Sequence, residues 1–321
     1  MSSNTLPAAS ESGPTTIPVV SIIIISYNTR DLLDQCLRSI FRSPASVPYE
    51  VLVIDNCSCD QSPEMVKDRY PAVRLIVNQE NVGFAAANNQ GLRVARGRYA
   101  LLLNSDTELL GDALDEMWRH FETHAQTGIV GSKLLNSDGS LQPSGNKIPT
   151  LGQEIIRVLP FGNKKNRYFD PQRNYDVVAD VEEVSGACLM LRREVWESVG
   201  LLDENFFFYH EDVDLCRRAR QAGWQVKYLP TAQVLHHSQR STPIRDPVFA
   251  ARCLKGYFYW IRKCYGPWGE LVLRLEMTVL TASKLLIGSL AACCGSSRGR
   301  SLQAVSRRVL PVCLGNKLTG I

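Results

Sequence analysis

The sequence predicts an α/β fold with a mostly parallel central sheet and a C-terminal helical extension, on three observations. The run Val19-Val20-Ser21-Ile22-Ile23-Ile24-Ile25 is short, β-branched and almost uninterruptedly apolar, the pattern of a parallel strand buried on both faces. Segments of strand and helix periodicity then alternate, as βαβ units do in an open sheet. After that alternation ends, residues 271–294 are strongly apolar, broken only by Arg274, Glu276 and Lys284, and read as helix.

Each element has its own signal. Residues 1–17 are rich in Ser, Thr, Pro and Ala with almost no bulky apolar side chains, so they are expected to form a disordered leader, and the fold begins at Pro18. After the first strand, Leu32, Leu33, Cys36, Leu37, Ile40 and Phe41 recur at helical spacing, with Asn28 or Thr29 placed to cap the first turn. Strands follow at 50–54, 74–77 and 99–103, separated by helices near 63–70 and 84–95. After about Gly128 the pattern is less regular, with loop signals at 136–145 and a polar stretch at 162–180. Order returns at 184–191, with a helix from Glu194, a helix through Gln221 and a strand at 225–229. These elements make one domain, 18–251, followed by a tail, 252–321.

Composition narrows the function class. A hydrophobic fraction of 45% and a charged fraction of 21% over 321 residues are ordinary for a globular chain and exclude a disordered or multi-spanning one. The net charge of +4 is uneven: residues 252–321 carry eleven Lys or Arg against Glu270 and Glu276, a net +9, which leaves −5 for the rest. A basic tail rich in Leu, Trp and Tyr points to a membrane surface rather than to nucleic acid. Ten scattered cysteines without a basic-then-apolar leader read as mostly reduced core residues of a cytoplasmic protein, and Cys57-Ser58-Cys59 lacks the spacing of a zinc or redox motif.

In an open parallel sheet, ligands bind beyond the carboxyl ends of the strands. The candidates are therefore Ser26-Tyr27-Asn28, Asp55-Asn56, residues 78–83 and Asn104-Ser105-Asp106. An acidic residue after a buried strand can hold a divalent cation that bridges two phosphates, which marks Asp106, with Asn104 as a neutral neighbour. The same tripeptide recurs at Asn136-Ser137-Asp138, where the following Gly139 signals a turn. Asp55 is placed either to accept the N3–H of a uracil or thymine ring or to cap the next turn. Gly83 opens an Ala-rich helix where backbone can approach a phosphate or ribose. In Tyr209-His210-Glu211-Asp212-Val213-Asp214, three carboxylates in four residues repel, which should raise some of their pKa values unless a cation or hydrogen bonds compensate, the condition a general base needs. His236 and His237, at the end of a strand region, offer an imidazole to a metal, whereas His120 and His124 read as a surface pair.

Residues 20–28, 50–58, 81–107 and 185–241 together resemble the glycosyltransferase family 2 enzymes of GT-A fold (a Rossmann-like nucleotide-diphospho-sugar transferase), within them the rhamnosyltransferase-like members. The resemblance implies an inverting enzyme using Mg2+ or Mn2+, with Ser26, Tyr27, Asn28, Asp55, Gly83, Asn104, Ser105 and Glu211 at the nucleotide sugar. It implies Asp212 as catalytic base and Asp106 and His236 as metal ligands, with Asn104 departing from the family's usual first aspartate. The expected donor is a nucleotide-diphosphate sugar, rhamnose from dTDP first, and the acceptor a glycan or polyprenyl-linked hydroxyl in cell-envelope polysaccharide synthesis. A nucleotidyltransferase is a rival, but Ser26-Tyr27-Asn28-Thr29 is no Gly- and Lys-rich triphosphate loop. A non-catalytic nucleotide-sugar scaffold would need no base. The tail, with aromatic and basic residues interleaved at 256–267, is expected either to lie at the inner face of the cell membrane or to pack on the domain as helices.

Overall fold

β1 (Val20–Ser26) is buried at every position and pairs in parallel with β2 (Tyr49–Asp55) and β4 (Tyr99–Asn104), and β2 pairs in parallel with β3 (Arg74–Val77). The uninterrupted isoleucine run follows from two-sided burial. Ile22 and Ile24 face α1 (Arg30–Arg42) through Leu33, Cys36, Leu37 and Ile40, while Ile23 and Ile25 face α3 (Phe84–Val94) through Ala85, Ala87 and Leu92. α3 lies so close that a Cβ on Gly91 would sit 2.5 Å from Ile23. α2 (Ser62–Arg69) is the crossover between β2 and β3. The structure, a computed structural model, describes residues 17–42, 45–158, 173–237 and 246–315, so the expected leader, except Ile17, lies outside the described residues.

Beyond β4 the sheet becomes mixed. β5 (Thr107–Leu109), α4 (Ala113–Thr123), β6 (Thr127–Leu135), β7 (Leu141–Gln142), α5 (Leu151–Val158), β8 (Ala179–Asp180), β9 (Cys188–Arg192), α6 (Arg193–Val199), α7 (Glu211–Gln221) and β10 (Gln225–His236) follow in order. The strands line up as β3-β2-β1-β4-β9-β6-β10-β5, with β7 on β6 and β8 on β10. β9 runs antiparallel between β4 and β6, and β5 antiparallel to β10. β6 falls where irregular chain was expected, because Gly128 and Gly131 dilute its strand signal. Both are demanded by close approach: a Cβ on Gly131 would lie 2.4 Å from Val184. β10 does not stop at 229. It continues through Pro230 across a register shift between Leu229 and Gln233.

The tail is helical. α8 (Pro247–Cys293) starts before residue 252, capped by Asp246 Oδ1 accepting the Phe249 amide at 2.7 Å, and kinks at Gly266 (φ 76°) and Pro267. Its first arm belongs to the core: Tyr257, Phe258, Trp260 and Ile261 are buried with Phe206 and Val213, so the aromatics of 256–267 do not face outward as a lipid anchor. Lys263 Nζ bridges Asp203 Oδ2 at 2.8 Å and the fully buried Asp214 Oδ1 at 2.7 Å. α9 (Ser297–Cys313) folds back on the second arm, where Gly299 meets Ala291 and Ala292. Among the described residues no helix is long and apolar enough to cross a membrane. All ten cysteines are free, but only Cys36, Cys188, Cys216 and Cys313 are buried, fewer than a core role for most would give.

His120, expected at the surface, is buried on the inner side of α4 and stacks on the exposed His124 with ring centroids 4.1 Å apart. Burial, reinforced by His124, pushes its imidazole from 6.5 down to about 4. A depressed folded value means the neutral ring's contribution is complete above pH 6.5 and is lost as pH falls toward 4. Unfolding free energy, measured by denaturant from pH 7.5 to 4.5, should decline by up to about 1.4 kcal/mol per pH unit more steeply in the native chain than in His120→Gln.

Candidate active site

The loops after β1, β2, β3 and β4 meet Phe207, Phe208 and the first turn of α8 around a cleft. Its lining includes the expected Tyr27, Gly83, Asn104, Ser105 and Asp106. Ser26, Asn28, Asp55, Glu211, Asp212 and His236 are not among them, and the Ser26 hydroxyl is buried. It bonds Thr29 Oγ1 at 3.1 Å, and Thr29 bonds Ser105 Oγ at 2.9 Å, so Ser26 stitches the β1 loop to the β4 loop instead of facing a ligand. Asn28, in the left-handed region at φ 53°, gives its amide to Ser58 Oγ and accepts the Cys59 amide at Oδ1, 2.9 and 2.8 Å.

Asp55 performs the second of its two expected tasks: Oδ2 caps the turn by accepting the Ser58 amide at 2.9 Å, and Oδ1 is buried without a hydrogen-bond partner. Burial holds its carboxyl above the usual range. Asn56, for which the sequence suggested no specific role, is the node of the next loop: it donates to Asn81 Oδ1 (2.9 Å) and accepts from Asn78 Nδ2 and the Val82 amide, both at 3.1 Å. Gly83 (φ 92°) is required for another reason than a phosphate: a Cβ there would lie 2.8 Å from the Phe207 ring, and the Phe84 amide bonds the Phe207 carbonyl at 2.7 Å.

Asp106 is buried at the end of β4, and the β5–β10 pairing sets His236 opposite Thr107, beside it. Asp106 Oδ1 lies 3.4 Å from His236 Nε2. His236 Nδ1 is 2.5 Å from Gln142 Oε1, which can only accept, so a neutral His236 carries its proton on Nδ1 and presents a lone pair at Nε2. A carboxylate oxygen and an imidazole lone pair then face each other across 3.4 Å, an arrangement that a divalent cation bridges. Asn104 Oδ1, buried without a hydrogen-bond partner, adds a neutral oxygen at the same loop. The set suits a hard cation that keeps further positions for phosphate and water. Among the described residues no cluster of three or more His, Cys, Asp or Glu is assembled. His237 is directed elsewhere, to Glu108 Oε1 at 2.7 Å and Ser137 Oγ at 2.9 Å, and Asp138 caps the expected turn by accepting the Ser140 amide at 2.9 Å.

Asp212 is half-buried at the start of α7, and its Oδ2 accepts the Gly186 amide at 2.8 Å. The adjacent Ala187 carbonyl accepts the Asn104 amide at 3.0 Å, so one dipeptide joins Asp212 to the Asp106 loop. The three neighbouring carboxyls have separate fates. Asp214 is paired to Arg218 Nε (2.7 Å) and Lys263, while Glu211 is buried with Oε2 lacking a hydrogen-bond partner, and burial beside Asp212 raises its pKa strongly. Glu211 does not line the cleft. Phe84, Phe207, Phe208 and Phe249 wall the cleft, the latter three unmarked by any sequence signal, with Phe84–Phe208 and Phe208–Phe249 ring centroids at 5.3 and 5.5 Å.

An α/β sheet with its cleft at the strand ends, a carboxylate–imidazole pair and a half-buried carboxylate on the adjoining segment make this the candidate site of an enzyme. The family model of glycosyl transferase family 2 matches residues 21–200, and that of glycosyl transferase family group 2 matches 169–296. The chain belongs to glycosyl transferase family 2 and is a glycosyltransferase of GT-A fold. It is 30% identical over 288 residues to N-acetylglucosaminyl-diphospho-decaprenol L-rhamnosyltransferase of Mycobacterium tuberculosis, covering 81% of this chain and 93% of that protein. It is 28% identical to the O-antigen biosynthesis protein RfbC of Myxococcus xanthus over 78% of this chain and 19% of that protein. Its fold matches that of the mannosyltransferase PcManGT of Pyrobaculum calidifontis, solved with GDP-Man and Mn2+, with a TM-score of 0.53 and 16% identity over 97% and 90% of the two chains.

If Gln142 orients His236, then Gln142→Leu should weaken Mn2+-dependent binding of a nucleoside diphosphate about tenfold in calorimetry while leaving metal-free binding unchanged. Asp106→Ala should lose the metal dependence altogether.

Proposed function

We propose that the protein is an inverting rhamnosyltransferase that moves rhamnose from dTDP-rhamnose to a hydroxyl of a glycan or polyprenyl-linked acceptor, with Mg2+ or Mn2+. The process is cell-envelope polysaccharide synthesis at the cytoplasmic face of the membrane. The observation that carries the reaction is the Gly186-Ala187 bridge, which keeps the Asp212 carboxylate beside the loop of Asp106. The 30% identity to a rhamnosyltransferase, across nearly its whole length, supports the sugar and the lipid-linked acceptor. The cleft agrees with that donor. Its phenylalanine wall suits the methyl group of a 6-deoxy sugar, and its described lining has no Lys or Arg to pair with a uronic acid. Asp55 Oδ1 is the acceptor for the thymine N3–H.

In this reading Asp212 takes the proton from the acceptor hydroxyl as that oxygen attacks the anomeric carbon from the face opposite the nucleotide. The new C–O bond forms as the bond to the diphosphate breaks, dTDP leaves, and the configuration inverts. Bound at Asp106 and His236, the cation supplies charge neutralisation for the departing diphosphate.

Asp212→Asn should lower transfer about 10³-fold, while the donor dissociation constant, measured by calorimetry, changes by less than about twofold. In a thermal-shift screen with Mn2+, dTDP-rhamnose should stabilise the protein more than GDP-mannose or UDP-glucuronic acid does. A larger shift with the uronic acid would remove rhamnose as the donor.

A further inference from the structure

The second arm of α8, after the kink at Gly266 and Pro267, has two different faces. Leu273, Thr281 and Gly288 are buried, and a Cβ on Gly288 would lie 2.9 Å from the backbone of Gln303 in α9, so this face is already partnered. On the other side Trp268, Leu271, Leu275, Val279, Leu286 and Leu290 are 45–78% exposed. Their spacings of 3, 4, 4, 7 and 4 residues keep them on one stripe of an α-helix, and at about 1.5 Å per residue the stripe is about 33 Å long. A large contiguous apolar face on a folded protein marks a surface meant to be covered.

The charge around the stripe decides what covers it. From residue 277 to the C-terminus the chain has six Lys or Arg and no Asp or Glu. Arg298, Arg300 and Arg307 stand exposed on α9, the helix packed beside the arm. A second copy would press two cationic hairpins together, whereas an anionic lipid surface meets both the apolar stripe and the positive charge. A spanning arrangement is excluded for these helices by their composition.

We propose that the α8–α9 hairpin lies flat on an anionic bilayer surface, with the stripe from Trp268 to Leu290 sunk into the boundary between headgroups and acyl chains and the α9 arginines on lipid phosphates. The first arm is packed into the catalytic domain, and Phe249 at its start lines the cleft. The helix therefore holds the cleft within about 30 Å of the lipid, since Phe249 and Trp268 are nineteen residues apart at about 1.5 Å each. The surface identified this way lies beyond the aromatic cluster of 256–267, and the proposal holds whichever sugar is transferred.

The test is flotation of the full chain with vesicles of phosphatidylcholine alone or mixed with phosphatidylglycerol, for the native protein, Leu275→Ser/Val279→Ser and Leu286→Ser/Leu290→Ser. The native chain should float with the anionic vesicles, and each double variant should lose at least about tenfold in partitioning, with unfolding midpoint and nucleotide-induced stabilisation unchanged. Equal flotation of native and variant chains overturns the proposal, as does native chain that stays unbound. A native dimer that the variants split, without lipid binding in either, assigns the face to a second copy instead.

Discussion

The Ala187 carbonyl accepts the amide of Asn104, and the amide before it, that of Gly186, donates to Asp212 Oδ2. Asn104 ends a strand of the parallel half of the sheet and Asp212 starts a helix packed on the mixed half, so this dipeptide ties the two together. It does so because β9 is antiparallel. Its first residue, Cys188, pairs with Leu103, placing the start of β9 at the chemical end of β4. A parallel strand in the same slot would bring its carboxyl end there and send residues 185–187 to the far side. Gly186 is also the residue that fits: a Cβ would lie 3.3 Å from the Asp212 carboxylate.

The second constraint is the entry to α7. Tyr209 and His210 both have left-handed backbone, φ 68° and 75°, a conformation costing non-glycine residues of order 1 kcal/mol each. Such a turn persists only where its surroundings over-determine it, and the first arm of α8 supplies them. The His210 ring packs 5.6 and 6.1 Å from Tyr257 and Trp260, and Lys263 ties down Asp214 two residues beyond Asp212. What the sequence presents as a tail is thus half scaffold for the entry to α7 and half exposed hairpin. The kink at Gly266–Pro267 divides the two.

Legibility in the sequence followed the physics of each part. Strands β1, β2 and β4 were readable because burial on both faces demands continuous apolar runs, β3, which has no fully buried residue, from its place in the alternation, and the helices between them because one-sided burial imposes the 3.6-residue period. β6 and the end of β10 were hidden, since close packing requires Gly128 and Gly131 in one and a register shift carries Pro230 in the other. The direction of β9 leaves no trace in its residues at all. Within the site, positions that follow strands could be nominated, but a nominated residue and a lining residue differ: Ser26 is turned inward, and Glu211 is sealed away from the cleft. Gln142, on a two-residue strand within a loop-like segment, and the phenylalanines at 207, 208 and 249 carry no local mark that separates them from ordinary polar surface or core.

On the proposed reading Asp106 and His236 would hold one cation, with Asp212 nearby. The most direct measurement is the anomalous scattering of manganese in crystals grown with Mn2+ and dTDP. The account predicts a single strong peak in coordination contact with Asp106 Oδ1 and His236 Nε2 and with the diphosphate. A peak bound to the diphosphate but remote from both side chains, or bound at Asp138 or His120 instead, would contradict it.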